Sequence, residues 1–180
     1  MKKLRIGVVG LGPRGRRVIR LASEFDCVSI AAGCDIKPTN WFEKQWHSPA
    51  AMADLFPAAQ FYENYDEMLD KANLDAVLVE TGADIHVSFC IKALEKDINV
   101  LTDIPVVANL KEAEALWKAA QNSKAMISVG ANPNEQKFTV LLRDFHAKGL
   151  LGIPYYMEAE YIHWSPPGSD ESVHWNENGN

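Results

Sequence analysis

Cysteine, long apolar runs and excess positive charge are all scarce in this sequence. The 3 cysteines among 180 residues lack zinc-site spacing, and we expect Cys27, Cys34 and Cys90 to be reduced, buried thiols, because each lies among apolar neighbours. No run reaches the roughly 18 apolar residues of a membrane span, and the N-terminus lacks a signal-peptide pattern. Apart from one local basic cluster on the first helix, a net charge of -6 offers no surface for a nucleic-acid backbone. We therefore expect a cytoplasmic protein without metal, membrane or nucleic-acid partners.

Apolar segments alternate between strand and helix periods along the first 130 residues. Short β-branched runs predict buried strands at 4–9, 28–34, 76–80, 98–101 and 126–129. Helical spacing predicts helices from Pro13, over 66–71, over 84–95, and after a capping box at Asn109 and Glu112. Alternating strands and helices indicate an α/β fold, a doubly wound parallel sheet over residues 1–130. The segment 39–63, rich in aromatic residues and broken by prolines, predicts irregular helix.

The helical spacing also predicts which side chains face the core. The expected buried stripes are Val18, Leu21, Ala22 and Phe25 on the first helix, Ile85, Phe89 and Ala93 on the helix over 84–95, and Ala113, Leu116, Trp117 and Ala120 on the next.

A different pattern follows residue 130. One helix ends at Lys148-Gly149, and the segment Tyr155 to His163 alternates apolar and polar residues as a half-buried antiparallel strand does. These elements predict that 131–180 begins a truncated α+β domain for substrate or oligomerisation. Because a lone strand has an open edge, we expect a homo-oligomer through Tyr155 to His163.

The sequence Gly10-Leu11-Gly12-Pro13-Arg14-Gly15 lies between a predicted strand and a predicted helix. In this context, glycines permit a tight turn and the approach of a diphosphate to backbone amides at the helix start. An acidic residue, Asp35, ends the second strand about 20 residues later, where it would hydrogen-bond the adenine ribose. The pattern predicts a dinucleotide site, with NAD favoured by Asp35.

Basic residues near this site leave NADP as the alternative cofactor. Lys37, or Arg14, would attract a 2′-phosphate. Arg14, Arg16, Arg17 and Arg20 form a basic run on the first helix, expected to be mostly a solvated face with Arg14 nearest the phosphates.

Several segments, in order, resemble the Gfo/Idh/MocA oxidoreductases. They are Ile6 to Gly12, Cys34 to Ile36, Tyr65 to Leu69, Leu74 to Val77, Thr81 to His86, Asn99 to Pro105, Gly130 to Asn132 and Gly149 to Gly152. The resemblance covers about residues 3 to 164 and implies an NAD(P)-dependent enzyme that transfers hydride to or from a sugar or cyclitol. Together with the motif, it implies a cofactor site made of Gly10, Leu11, Gly12, Pro13, Arg14, Asp35, Ile36, Lys37, Thr81, Gly82, His86, Asp103, Ile104 and Asn132.

The sequence departs from this family at two places. The lysine of the family's Glu-Lys-Pro motif falls on Ile104, which can neither transfer a proton nor polarise a carbonyl. NAD-dependent glycosidases of the family resemble this apolar variant. The chain also stops before the family's large antiparallel sheet and its histidine-bearing segment. His163 ends the predicted strand, where branches of the family place substrate-facing polar groups, so the resemblance implies His163 as the candidate catalytic residue.

Three functions remain open at this point. The first is a sugar or cyclitol oxidoreductase, or an NAD-dependent glycosidase, of which this short chain would be poorly active or inactive. The second is a dinucleotide-binding module or fragment without catalysis. The third is a structural subunit that uses the glycines only as scaffold.

Overall fold

A computed structural model describes residues 3–46, 48–160 and 162. Its centre is a six-stranded, wholly parallel sheet in the order β3-β2-β1-β4-β5-β6. The strands are β1 Leu4–Val9, β2 Val28–Cys34, β3 Gln60–Tyr62, β4 Ala76–Val79, β5 Asn99–Thr102 and β6 Ile127–Val129. The helices are α1 Pro13–Ser23, α2 Thr39–Phe42, α3 Met52–Leu55, α4 Tyr65–Lys71, α5 His86–Leu94, α6 Leu110–Asn122 and α7 Lys137–Ala147, with a short 3-10 helix at Asn132–Glu135. The predicted doubly wound sheet is confirmed.

Two apolar layers cover opposite faces of the sheet, because successive side chains of a strand point to opposite sides. On β4, for example, Val77 and Val79 join one layer and Leu78 the other. The layer of Val77 is closed by helices α4, α5 and α6, and that of Leu78 by α1, α2 and α3. Helices on both faces are what bury a parallel sheet.

Side chains fix several helix ends. The Asn64 and Asn109 side chains accept hydrogen bonds from the amides of Glu67 and Glu112, both at 3.0 Å, and so cap α4 and α6. The Glu112 carboxylate reaches back to the amide of Ala108 at 2.8 Å. The first of these bonds is the one that a capping box predicts, whereas Glu112 bonds the amide before the N-cap residue and not that of Asn109 itself.

The amino ends of the strands are tied together by a separate group of contacts. The Arg5 guanidinium on β1 donates to the carbonyls of Ala72 and Asn73, both at 2.9 Å, where α4 ends. The Asp97 carboxylate, between α5 and β5, accepts from the Lys124 amide at 2.8 Å. These contacts fix the segments that connect a helix to the next strand, at the amino ends of the strands.

The predicted helix faces were wrong in part. On α1, Ile19 and Arg16 are buried whereas Leu21 and Phe25 are 47% and 63% exposed. The physical reason is that Phe25 follows the helix end at Ser23, where helical spacing no longer applies. On α6 the buried residue is Leu116, and Trp117 is 67% exposed.

On α5 the predicted stripe was also shifted. Ile85 precedes the helix and is 47% exposed, while Ala93 is buried as expected. The buried face is completed by His86, Val87, Cys90 and Leu94.

Two further expectations differ from the structure. The segment 39–63 holds two single-turn helices and a strand, β3, that its composition did not predict. Cys27 is exposed, because it lies in the turn before β2, whereas Cys34 and Cys90 are buried.

The chain divides into two compact units between Pro133 and Asn134; the sequence prediction places the boundary after residue 130. In the second unit, α7 ends as expected, with Gly149 at φ +71°. The strand predicted for Tyr155 to His163 is absent from the described residues 155–160 and 162. A strand requires a hydrogen-bonded neighbour, and residues 155–160 and 162 have no strand partner among the described part of the chain. A homo-oligomer through this segment stays a prediction.

Candidate functional site

The strand order places a crevice between β1 and β4. From β1 the chain proceeds to β2 and β3 on one side, and from β4 it proceeds to β5 and β6 on the other. In open parallel sheets, ligands bind outside the carboxyl ends of the strands at such a reversal point. The predicted cofactor residues all follow the carboxyl ends of β1, β2, β4, β5 and β6 or begin α1 or α5.

The glycine turn after β1 is shaped by close backbone contacts. Gly10 has φ +85°, and a Cβ there would lie 2.4 Å from the carbonyl oxygen of Glu80. A Cβ on Gly15 would lie 1.8 Å from the Gly10 oxygen. Both positions therefore require glycine for folding.

Gly12 differs from its neighbours in the turn. A Cβ there would meet nothing within 4 Å. Gly12 is also the N-cap of α1, and no side chain caps the helix start. The space beside Gly12 at the helix start is thus free of other protein atoms, and a helix start without a side-chain cap fits a diphosphate.

Asp35 lies beside this turn. Its Oδ2 accepts a hydrogen bond from the Leu11 amide at 2.6 Å and its Oδ1 accepts one from the Lys37 amide at 2.8 Å. The carboxylate is therefore held between the end of β2 and the glycine turn. A group that accepts hydrogen bonds from the adenine ribose would need this position. Ile36 is 83% exposed beside it.

The four arginines of α1 are not equivalent. Arg16, expected in a solvated face, is buried, and its Nη1 donates to the Leu11 carbonyl at 2.7 Å and to Asn40 Oδ1 at 3.2 Å. Arg14 instead reaches the end of β5, where its Nε and Nη2 donate to the two carboxylate oxygens of Asp103 at 2.8 and 3.2 Å. Arg16 supports the glycine turn from within, and Arg14 crosses the ends of the central strands.

Glu80, at the end of β4, is the site residue that the sequence interpretation missed. Its side chain is only 6% exposed, and Oε2 lies 3.6 Å from Arg14 Nε. Burial, followed by the neighbouring Asp103 carboxylate, raises the pKa of Glu80 to about 7, against the lowering effect of Arg14. Its place directly before Thr81, at the end of a buried strand, was the available signal.

His86, at the start of α5, is 2% exposed. Its Nδ1 lies 3.1 Å from both the hydroxyl and the carbonyl oxygen of Thr81, and its Nε2 hydrogen-bonds the hydroxyl of Thr102 on β5. Because both ring nitrogens have protein partners, His86 fixes the loop after β4 against β5. A direct cofactor contact by His86 stays a prediction.

The remaining predicted residues lie around the same edge. Gly82 follows Thr81, and a Cβ there would lie 2.9 Å from Asp84 Oδ1. Ile104 is 56% exposed next to Asp103, and Asn132 is exposed in the 3-10 helix after β6. His163 lies outside the described residues.

Other kinds of site find no support among residues 3–46, 48–160 and 162. No group of three or more His, Cys, Asp or Glu side chains could hold a metal ion there. Within the same residues, no helix is both long and apolar enough to span a bilayer.

The strand order, the open glycine turn and the carboxylate at the end of β2 define a Rossmann-type dinucleotide-binding fold. The family model for the oxidoreductase family with an NAD-binding Rossmann fold, Gfo/Idh/MocA, matches residues 4–131. This match covers more than half of the chain, which therefore belongs to that family.

Three of the proteins to which the chain is similar have names that give different activities. A glycosyl hydrolase family 109 protein of Shewanella pealeana is 23% identical over 91% of this chain and 36% of its own length. Inositol 2-dehydrogenase/D-chiro-inositol 3-dehydrogenase of Lacticaseibacillus casei is 27% identical over 88% of this chain and 44% of its own length. The WlbA dehydrogenase of Bordetella pertussis, solved with NADH and UDP-GlcNAcA, has a TM-score of 0.74 at 19% identity, over 84% of this chain and 41% of its own. The chain thus spans less than half the length of these relatives.

Proposed function

We propose that this chain binds NAD in the crevice between β1 and β4 and forms the nucleotide-binding part of an oxidoreductase that acts on a sugar or cyclitol. Residues 1–130 would hold the dinucleotide, and residues from 131 onward would begin the part that holds the substrate. The observation that carries the proposal is the open helix start at Gly12, with the Asp35 carboxylate held beside it.

The described residues fit NAD better than NADP. A carboxylate at Asp35 accepts hydrogen bonds from ribose hydroxyls and repels a 2′-phosphate. Arg14, one of the two cations that could offset this repulsion, is paired with Asp103. The Lys37 amide supports the Asp35 carboxylate. NAD is therefore the proposed cofactor and NADP the alternative.

When bound, the nicotinamide supplies the atom that donates or accepts hydride. The protein would position the cofactor: Gly12 would admit the diphosphate, Asp35 would orient the adenine ribose, and Asp103 would lie near the nicotinamide ribose. His86 and Thr102 hold the loop after β4 in place. His163 remains the proposed catalytic residue, since Ile104 cannot move a proton.

A glycosidase relative is the second candidate because of Ile104. At this position the chain has an apolar residue in place of the family's lysine. NAD-dependent glycosidases of the family resemble this apolar variant. A module that binds NAD without turnover is the further alternative. A cytoplasmic location stays a prediction.

Titration with NADH and NADPH, followed by nucleotide fluorescence and thermal unfolding, tests the proposal. A ligand at 100 times its Kd should stabilise the chain by about 2.7 kcal/mol. NADH should bind more tightly than NADPH. Absence of binding by both would contradict the proposal and favour a structural subunit.

Turnover on a panel of inositols, aldoses and aryl N-acetylgalactosaminides then distinguishes the activities. NAD reduction by a polyol or sugar would support the dehydrogenase. Aglycone release without net NAD reduction would support the glycosidase. Binding without turnover of any substrate would support the non-catalytic module.

A further inference from the structure

Two carboxylates and one guanidinium from three different elements meet at the edge of the crevice. Glu80 follows β4, Asp103 follows β5, and Arg14 lies in the first turn of α1. Their side chains are 6%, 18% and 44% exposed. Arg14 binds Asp103 through both carboxylate oxygens but lies 3.6 Å from Glu80, beyond hydrogen-bond distance.

The cluster carries one positive charge for two acidic groups. Burial disfavours the ionised form of Glu80, and a neighbouring carboxylate disfavours it further, so the pair readily retains a proton. Glu80 Oε2 is buried and has no hydrogen-bond partner among the described residues. The charged groups that act on Glu80 are Asp103 from β5 and Arg14 from α1, so the protonation of Glu80 depends on where the Arg14 charge is.

A diphosphate at the start of α1 would change this balance. Its negative charges would arrive beside Arg14, which comes two residues after Gly12. They would attract the guanidinium away from the carboxylates and add negative potential at Glu80. Both effects act in the same direction, since each one favours the protonated form of the carboxyl pair.

We propose that Glu80 couples dinucleotide binding to the uptake of a proton. This inference rests on the proposed function, because it requires a diphosphate at the glycine turn. The proton passes from solvent to the Glu80–Asp103 pair, and no bond to carbon forms or breaks. Glu80 thereby acts as a positioning residue: its protonation compensates for the departure of the Arg14 charge, so that Asp103 is not left beside a second ionised carboxylate.

Isothermal titration calorimetry with NADH tests the coupling. Titrations at pH 7.5 in HEPES and in Tris, which differ in ionisation enthalpy, give the number of protons taken up per NADH bound. The wild-type chain should take up a measurable fraction of one proton. Glu80→Gln should abolish this uptake, whereas Glu114→Gln, an exposed carboxylate on α6, should leave it unchanged.

The pH dependence of affinity is the second readout. Because binding takes up a proton, the Kd for NADH should rise with pH between 6.5 and 8.5, by at most about tenfold per pH unit for one proton. In Glu80→Gln this slope should be lost. Circular dichroism and thermal unfolding establish that the variant is folded; if it is not, Asp103→Asn, which removes the other carboxylate, should reduce the uptake in its place.

The outcomes separate the two proposals. Absence of NADH binding would overturn the proposed function, and the coupling with it. Binding without proton uptake, or uptake that persists in Glu80→Gln and in Asp103→Asn, would overturn the coupling and leave the proposed function standing.

Discussion

The backbone amide of Leu11 donates a 2.6 Å hydrogen bond to Oδ2 of Asp35. This contact joins the glycine turn after β1 to the end of β2, two segments that lie 24 residues apart in the chain. The Lys37 amide fixes the second carboxylate oxygen at 2.8 Å. Since each carboxylate oxygen can accept more than one hydrogen bond, Asp35 is held in place and can still receive ribose hydroxyls.

Replacement of Asp35 should therefore change both affinity and cofactor choice. Asp35→Asn removes the charged acceptor, a loss of about 1.5–3 kcal/mol for a hydrogen bond to a charged group, or about 10- to 100-fold in the Kd for NADH. NADPH, which the carboxylate repels, should lose less or bind more tightly. Titration of both nucleotides measures the change, with the exposed Asp26→Asn as control. Equal losses for both nucleotides would contradict the assigned role.

The contrast between Gly12 and Gly15 yields a second prediction. A Cβ at Gly12 meets open space, so Gly12→Ala should change the free energy of unfolding by no more than about 0.5 kcal/mol. The same Cβ would occupy the approach of the diphosphate and should weaken NADH binding at least about tenfold, or about 1.4 kcal/mol.

Gly15→Ala is the matched comparison, because its Cβ would lie 1.8 Å from the Gly10 carbonyl oxygen. This variant should lose about 1–3 kcal/mol of stability or more. Urea unfolding and NADH titration of both variants measure these effects. Normal NADH binding by a folded Gly12→Ala variant would place the phosphates elsewhere.

The buried carboxyl of Glu80 makes stability depend on pH. Its pKa is raised from an ordinary value of 4.5 to about 7 in the folded chain, so the folded state binds more protons than the unfolded state between these values. Stability from this group is therefore fully present below pH 4.5 and is lost as the pH rises through about 7.

Glu80→Gln should remove this loss. The free energy of unfolding of the variant minus that of the wild type should be larger at pH 8 than at pH 5, by about 1–3 kcal/mol. Urea unfolding at the two pH values measures the difference, and Glu114→Gln serves as the exposed control. A stability difference that does not vary with pH would show that Glu80 ionises normally in the folded chain.

The three cysteines should react at different rates. Cys27 is exposed, whereas Cys34 and Cys90 are buried. Burial raises the pKa of Cys34 to about 12 and raises that of Cys90 as well, and the thiolate is the reactive form. With Ellman's reagent we expect one rapid equivalent in the native chain and two more after unfolding. Cys27→Ser should remove the rapid phase; its persistence would contradict the buried positions of the other two.

The sequence predicted the fold where local pattern and tertiary environment agree. β1 and β2 are apolar and buried over their last four residues, 6–9 and 31–34, because both faces of a parallel sheet are covered there. β3 was missed, since Gln60–Tyr62 is a three-residue edge strand that pairs only with β2. Trp117 and Phe25 were misplaced because periodicity gives the orientation of a helix but not where the neighbouring core ends.

The candidate site likewise has parts that could be predicted from the sequence and parts that could not. The glycine turn and Asp35 could be predicted because each depends on backbone geometry at a known distance from a strand. The contact of Arg14 with Asp103 joins residues 89 positions apart through a long, flexible side chain, and no local pattern encodes its direction. Glu80 could be placed at a strand end, but its burial and its acidic neighbour appear only when β4 and β5 are paired.

The contacts of Arg5 with Ala72 and Asn73, and of Asp97 with Lys124, lie at the amino ends of the strands. The proposed nucleotide chemistry uses the carboxyl ends. Consequently, substitutions at Arg5 or Asp97 can change thermal stability without altering which ligand binds. Conversely, Asp35 or Arg14 can change while the contacts at the amino ends of the strands stay intact. A scaffold partitioned in this way can acquire new specificities while it keeps the same folding contacts.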